Sequence, residues 1–489
     1  MSNSYGRSIS RRSFLKAGAS AAALGAVGGA LSSTPDRAAT SSLRWPDSLP
    51  YPTLPVGQYT GAFPFDHIIM IMQENHSFDN YLGMLPELGQ PLADGFTFDK
   101  NGEPTNWNPI GNDRMPVYHQ KGGAGANDTG SQSWNDTHLQ INGGAMDGFA
   151  NTGPGSMGFY TEEDLPFYYS LAKTFTLANR WFAAVPSQTT PNRRFAQAAT
   201  ARGIINTDVS NITDNYPPNG TIWDRLSKHN VPWLNYFSDA PTTAEMLDTV
   251  LRYPEHLALI DQFYLDAALG TLPAVSMVDS NMGSITGEIT GVTGTIKLPY
   301  PVPLFGSQPQ NGLDNVINTT AQSEEHPELV QLGEQFVAGV INAVMSGPAW
   351  RRSLIIWYYD EHGGYYDHVA PPPALVPDEM PPILAADNLP GGYNMYGCRL
   401  PAVVISPYSR SHDVTNVVHD NTSVLKTIEM QWNLPALTFR DANATSLVDF
   451  LDTSVMTFAE PPQLAAPANP LPPLLYDYQG IPNPPAPQP

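Results

Sequence analysis

The sequence predicts an α/β fold with a mostly parallel central sheet, helices on both faces and long loop insertions. Apolar runs of strand length recur along the chain, helical patterns separate them, and several runs stop abruptly on carboxylates or amides. A strand buried on both faces lacks the polar alternation of a half-exposed one, and strands separated by helices favour parallel order.

The first run, FDHIIMIMQEN, ends on Glu74 and Asn75. VPWLNYF at 231–237, LPAVSMVDSN at 272–281, RSLIIWYYDEHGG at 352–364 and LPAVVISPYS at 400–409 repeat its shape. Between them EDLPFYYSLAKTF, GTIWDRLSKHN, ELVQLGEQFVAGVINAVMSG and TSVLKTIEMQWN carry apolar residues at helical spacing. In such sheets ligands bind beyond the carboxyl ends of the strands, which puts Glu74, Asn75, Asp279, Asp360 and Glu361 on one rim. The turn-rich stretches from about 84 to 145 and from about 282 to 325 are expected to line the cleft. Beyond about residue 458 the Pro-rich chain is expected to run as an extended strap or tail.

A length of 489 residues suits one large catalytic core with insertions. A charge of -22 leaves no basic surplus to neutralise phosphates, so no nucleic-acid partner is expected. The single cysteine, Cys398, excludes an intramolecular disulfide and Cys-rich metal sites. At the N-terminus, SRRSFLKAGASAAALGAVGGALSS pairs Arg11 with Arg12 ahead of a weakly apolar Ala/Gly stretch. It reads as a twin-arginine export signal with no stable transmembrane anchor. The partner is then the twin-arginine machinery and the destination the periplasm, cell wall or exterior, with the mature chain starting between Ser32 and Ser42.

Carboxylates crowded on one rim repel one another and require protons or a cation. Oxygen donors without clustered His or Cys suit a hard ion such as calcium, magnesium or manganese, with zinc or iron as alternatives. A third element is VPSQTTPNRRF at 185–195, where Pro191 is expected to hold Thr190 extended and Thr189 lies just ahead of a helix N-terminus. A hydroxyl there is suited to an anionic substrate, although helix capping explains it equally well.

Taken together, QENHSFDNYLG, INGGAMDGF, TTPNRRF, EEHPE, YDEHGGYYDHVAPP, RLPAVVISPYS and HDNTSVLKTIE, in this order, resemble the bacterial phosphoesterase family of phospholipases C and acid phosphatases. The resemblance implies an alkaline-phosphatase-like fold and one divalent ion (calcium, magnesium, manganese or zinc) held by Glu74, Asn75, Asp360, Glu361 and Thr189. It makes Thr189 the nucleophile, passing through a phosphothreonine, with His138 and His326 at the phosphoryl group. Asn192, His362 and His419 follow as substrate-side or supporting residues, and Arg193 as a partner for a carboxylate. The implied organisation is an export signal and linker over 1–40, a catalytic domain over 41–457 and a Pro-rich segment over 458–489.

The chain departs from the family pattern where Ser131 and Gln132 replace an Asp-His pair, Ala145 a lysine, and Ala178 and Asn179 a Cys-Asp segment. These differences leave the implied metal and nucleophile set intact and bear on the head group. The expected function is a secreted metal-dependent phosphoric ester hydrolase acting on a phospholipid or phosphorylated small molecule, with phospholipase C first and a broad-specificity acid phosphatase second. The alternative of another class is a non-catalytic secreted cation-binding structural protein.

Overall fold

The structure, a computed structural model, describes residues 43–121, 128–207, 216–281, 289–291, 294–296, 324 and 330–468. The export signal, His326 and the chain beyond 468 lie outside the described residues.

The main sheet contains β1 (His67–Gln73), β2 (Thr176–Ala178), β3 (Trp233–Phe237), β4 (Leu257–Leu259), β5 (Val275–Asp279), β6 (Ser353–Tyr359), β7 (Ala402–Ile405) and β8 (Val414–Thr415). They lie in the order β8-β2-β7-β6-β1-β5-β3-β4. β7 runs antiparallel to β6 and β2, and the other pairings are parallel. All five apolar runs expected to be strands are strands. The short strands β2, β4 and β8 were not expected, because two or three residues carry no periodicity to detect.

Every residue of β1 and β6 is buried. Successive side chains of a strand point to opposite faces, so both faces of the sheet are covered here. The described helices include α1 (Phe78–Leu82), α2 (Trp134–Ile141), α3 (Pro166–Thr174), α4 (Thr189–Ala198), α5 (Ile222–Lys228), α6 (Ile260–Leu269), α7 (Val330–Ser346) and α8 (Asn421–Trp432). Each fully buried Ile, Leu or Met contributes about 1.5–3 kcal/mol, so β1 and β6 add directly to the driving force for the core. The aromatics Phe159, Tyr160, Phe167, Tyr168 and Tyr169 belong to the buried interior.

Pro191 behaves differently from expectation. Helix α4 already includes Thr189 and Thr190, with Gln188 as its N-cap. Proline in a first turn loses no intrahelical hydrogen bond, and the packed helix outweighs the extended preference of the preceding residue. Thr189 is therefore the first residue of the helix.

The part of the Pro-rich segment that is described lies against the body. Ala465 N donates to Ser170 Oγ at 3.2 Å, and Gln335 Nε2 donates to Ala468 O at 3.1 Å. Glu334 on α7 accepts from Phe167 N at 2.8 Å, Tyr168 N at 3.1 Å and Ala468 N at 3.1 Å, joining α3, α7 and this segment.

Burial pushes the Glu334 carboxyl up from 4.5 to about 8 against those N–H donors. Between those values the folded chain holds a proton that the unfolded chain has released, so stability falls as pH rises through this window. Urea unfolding across it should show Glu334→Gln flattening that part of the slope.

Candidate active site

β1 and β6 are neighbours with Gln73 opposite Tyr359, so both strands end at the same level. One further ladder bond, Asp360 N to Gln73 O at 3.1 Å, carries the pairing past the last strand residue. Glu74 and Asp360 consequently leave the sheet side by side. Asn75 turns the first chain with φ +70°, and Gly363 and Gly364 turn the second with φ +63° and +78°. A Cβ on Gly363 would lie 1.9 Å from Asn75 O, and one on Gly364 1.7 Å from Gly130 O. The glycines of DEHGG thus allow three loops to interlock beside the strand ends.

Glu74, Asn75, Asp360 and Glu361 are all buried. Asp360 Oδ1 accepts from Glu361 N at 2.7 Å and Asn75 N at 3.4 Å, and Glu361 Oε2 accepts from Gly363 N at 2.7 Å. Gln132, at a position where the chain departs from the family pattern, donates to Asn75 Oδ1 at 3.3 Å. It therefore stands beside the expected ligand set. Asn179, at another departure, instead bonds Asp94 N, Leu92 O and Asn416 Oδ1.

Arg193 enters this acidic group from α4. Its Nε donates to Asp360 Oδ2 at 3.0 Å and its Nη1 to Thr242 Oγ1 at 2.6 Å. Nη2 lies 3.4 Å from Glu74 Oε1, and Nη1 lies 3.7 Å from Asp279 Oδ1. Burial pulls the guanidinium pKa down, but Asp360, Glu74 and Asp279 outweigh it and raise the value. Burial pushes the Asp360 and Asp279 carboxyls up while Arg193 opposes it. Asp279 Oδ2 also accepts from Asn235 Nδ2 and Thr242 N, both at 2.7 Å. Glu74, Asp279, Asp360 and Glu361 together outnumber this single guanidinium, and the oxygen-rich donor set fits a hard divalent cation.

Thr189 lies one turn before Arg193, on the same face of α4. The turn ahead of it is held by Asn192, whose Oδ1 accepts from Val185 N at 3.1 Å. Its Nδ2 donates to Ser187 O at 2.8 Å and Gln188 O at 3.0 Å. The amide of Asn192 is thus engaged with the backbone of the turn before Thr189. Asn421 Nδ2 at the start of α8 reaches Asn192 O at 3.4 Å and braces α4.

The expected histidines separate. His362 is buried, its Nε2 lies 2.7 Å from Gln140 Oε1, and its Nδ1 lies 3.6 Å from Glu361 Oε2. Burial depresses its pKa to about 3, so the neutral ring links α2 to the loop carrying Glu361. His138 pairs Nδ1 with Trp134 O at 2.6 Å, which makes Nε2 its basic nitrogen, and burial lowers its pKa. His419 faces Ser423 Oγ and Asp449 Oδ2, each at 3.1 Å, and belongs to the base of α8.

Among the described residues, the group with potential ligand atoms all within 4.8 Å of one another is Asp79, Asp367 and His368. The sequence reading did not single it out, although DHV in the longest motif contains two of its members. This possible metal group already contains protein cations. Arg399 reaches Asp79 Oδ1 at 2.9 Å and Asp367 Oδ2 at 3.1 Å, and His368 Nδ1 lies 2.6 Å from Asp79 Oδ2. Burial opposes the His368 charge, but Asp79 and Asp94 more than offset it and raise the pKa to about 10.

Arg193→Met should leave buried carboxylates uncompensated and cost about 3–5 kcal/mol. Urea denaturation should detect that loss, with Arg193→Lys recovering part of it.

The sequence profile of the phosphoesterase family matches residues 65–435, and that of the twin-arginine translocation signal matches residues 8–28. Phospholipase C A of Mycobacterium tuberculosis is 30% identical over 445 residues, covering 82% of this chain and 79% of the relative. Non-specific phospholipase C6 of Arabidopsis thaliana is 26% identical over 421 residues, covering 80% and 73%. Among solved structures, a protein in the alkaline phosphatase superfamily from Vibrio parahaemolyticus matches at 12% identity with a TM-score of 0.34, over 73% of this chain and 77% of that one. No helix among the described residues is long and apolar enough to cross a membrane. This chain, exported by the twin-arginine route, belongs to the phosphoesterase family and is a hydrolase of phosphoric ester bonds.

Proposed function

We propose that the protein is a metal-dependent phospholipase C that works through a phosphothreonine on Thr189. The observation that carries this reading is the buried acidic rim at the ends of two adjacent parallel strands, with Arg193 and Thr189 on one face of the helix above it. The names of the relatives support the choice of a phospholipid diester as substrate.

Glu74, Asn75, Asp360, Glu361 and Thr189 would hold one divalent ion. When bound, the ion lowers the pKa of a hydroxyl and withdraws charge from a phosphoryl oxygen. Thr189 gives up its hydroxyl proton to solvent and its Oγ attacks phosphorus in line, forming the Oγ–P bond as the bond to the leaving alcohol breaks. The leaving oxygen takes a proton from a histidine, for which we assign His138 or His326. Water then cleaves the phosphothreonine, restoring the hydroxyl and releasing the phosphorylated head group. Asn192 holds the nucleophile turn, while His362 and His419 contribute by orienting the loop of Glu361 and the base of α8.

The test is hydrolysis of p-nitrophenylphosphorylcholine and p-nitrophenyl phosphate by the purified mature protein, with and without chelator and added divalent ions. Thr189→Ala should lower kcat by about 10³-fold or more, and chelation should abolish turnover until a metal is restored. His138→Gln should cost about 10²–10⁴-fold in kcat if His138 is the acid. Activity on the monoester alone would replace the phospholipase reading with an acid phosphatase. Wild-type turnover by Thr189→Ala would overturn the nucleophile assignment.

A further inference from the structure

Behind the acidic rim stands Glu324, a buried carboxylate with four side-chain donors. Its Oε1 accepts from Tyr168 OH at 2.5 Å and Gln73 Nε2 at 3.3 Å. Its Oε2 accepts from Tyr81 OH and Tyr359 OH, both at 2.5 Å. A carboxylate offers about four acceptor positions, so these donors saturate it. The Glu324 carbonyl oxygen also lies 2.9 Å from His76 Nε2.

The sequence positions of these partners carry the inference. Gln73 immediately precedes Glu74, Tyr359 immediately precedes Asp360, and His76 immediately follows Asn75. Glu324 therefore binds a neighbour of three of the four side-chain ligands assigned above outside α4, and ties them to Tyr81 on α1 and Tyr168 on α3. The site is built closely around this side chain. A Cβ on Gly333 of α7 would lie 2.1 Å from Glu324 Cγ, and Glu324 itself takes a left-handed φ of +74°. A strained backbone and a helix glycine both accommodate one carboxylate.

We propose that Glu324 is a positioning residue that locks the ends of β1 and β6 together, holding Glu74, Asn75 and Asp360 in the arrangement that binds the metal. This inference rests on the metal-site reading given under Proposed function. Partners of this kind around metal ligands typically change affinity or activity by about 10–100-fold when removed.

The full mature chain and its Glu324→Ala, Glu324→Gln and Tyr168→Phe variants would be compared by Mn²⁺ titration, hydrogen exchange and p-nitrophenylphosphorylcholine hydrolysis. Glu324→Ala should weaken Mn²⁺ binding by about 10–100-fold and lower kcat by a similar factor, with KM changed much less. Amides at 74–76 and 360–363 should exchange faster. Glu324→Gln should recover part of each effect, and Tyr168→Phe, which removes the donor farthest along the chain from the ligands, should have the smallest. Should Glu324→Ala fail to fold, the graded comparison of Glu324→Gln with Tyr168→Phe decides the question. Unchanged exchange at the strand ends together with unchanged Mn²⁺ affinity would overturn the proposal, whatever the melting temperature. If Glu74→Gln binds Mn²⁺ as the wild type does, the metal-site assignment fails, and hydrogen exchange still decides whether Glu324 locks the strand ends.

Discussion

Carboxylates gathered in a dry interior must be offset by opposite charge, and in this protein the buried contact between Arg193 and the acidic strand ends meets much of that requirement. Because β1 and β6 pair in register, Glu74 and Asp360 emerge side by side and their repulsion cannot be relieved by separation. The guanidinium lies between them and reaches toward Asp279 at the end of β5. Three strands and helix α4 are thereby linked at the rim, and the same helix carries Thr189 one turn away.

Around this centre the protein uses neutral hydrogen bonds to restrict the parts that could move. Asn192 holds the turn before Thr189, and His362 with Gln140 supports the loop carrying Glu361. The loop glycines accept positive φ where a side chain would collide with neighbouring backbone. Glu324 provides a second junction behind the rim, where three tyrosines and a glutamine converge on one carboxylate. Such saturated buried networks favour one geometry, because any displaced partner leaves a polar group without its bond in a region of low dielectric.

A separate cluster combines closely spaced ligand atoms with protein cations. Asp79, Asp367 and His368 have their ligand atoms close together, yet Arg399 and the imidazolium already neutralise them. The Glu74 group is less tightly gathered, and three of its carboxyls share one guanidinium, Arg193.

The five long strands and helices α3, α5, α7 and α8 were legible in the sequence because apolar periodicity reports local burial directly, and the QEN and DEHGG strand ends were visible as abrupt changes from apolar to hard oxygen donors. Export was equally local, written in Arg11, Arg12 and the residues after them. Tertiary structure alone decided that β7 is antiparallel, that Pro191 lies inside a helical turn, and that Arg193 reaches three carboxylates. It also decided the convergence on Glu324 and the engagement of His419 with Asp449 at the base of α8. These features depend on residues distant in the chain meeting at hydrogen-bond range. A local pattern records which face of an element is buried, whereas the partner met on that face is selected by the packing of the whole sheet.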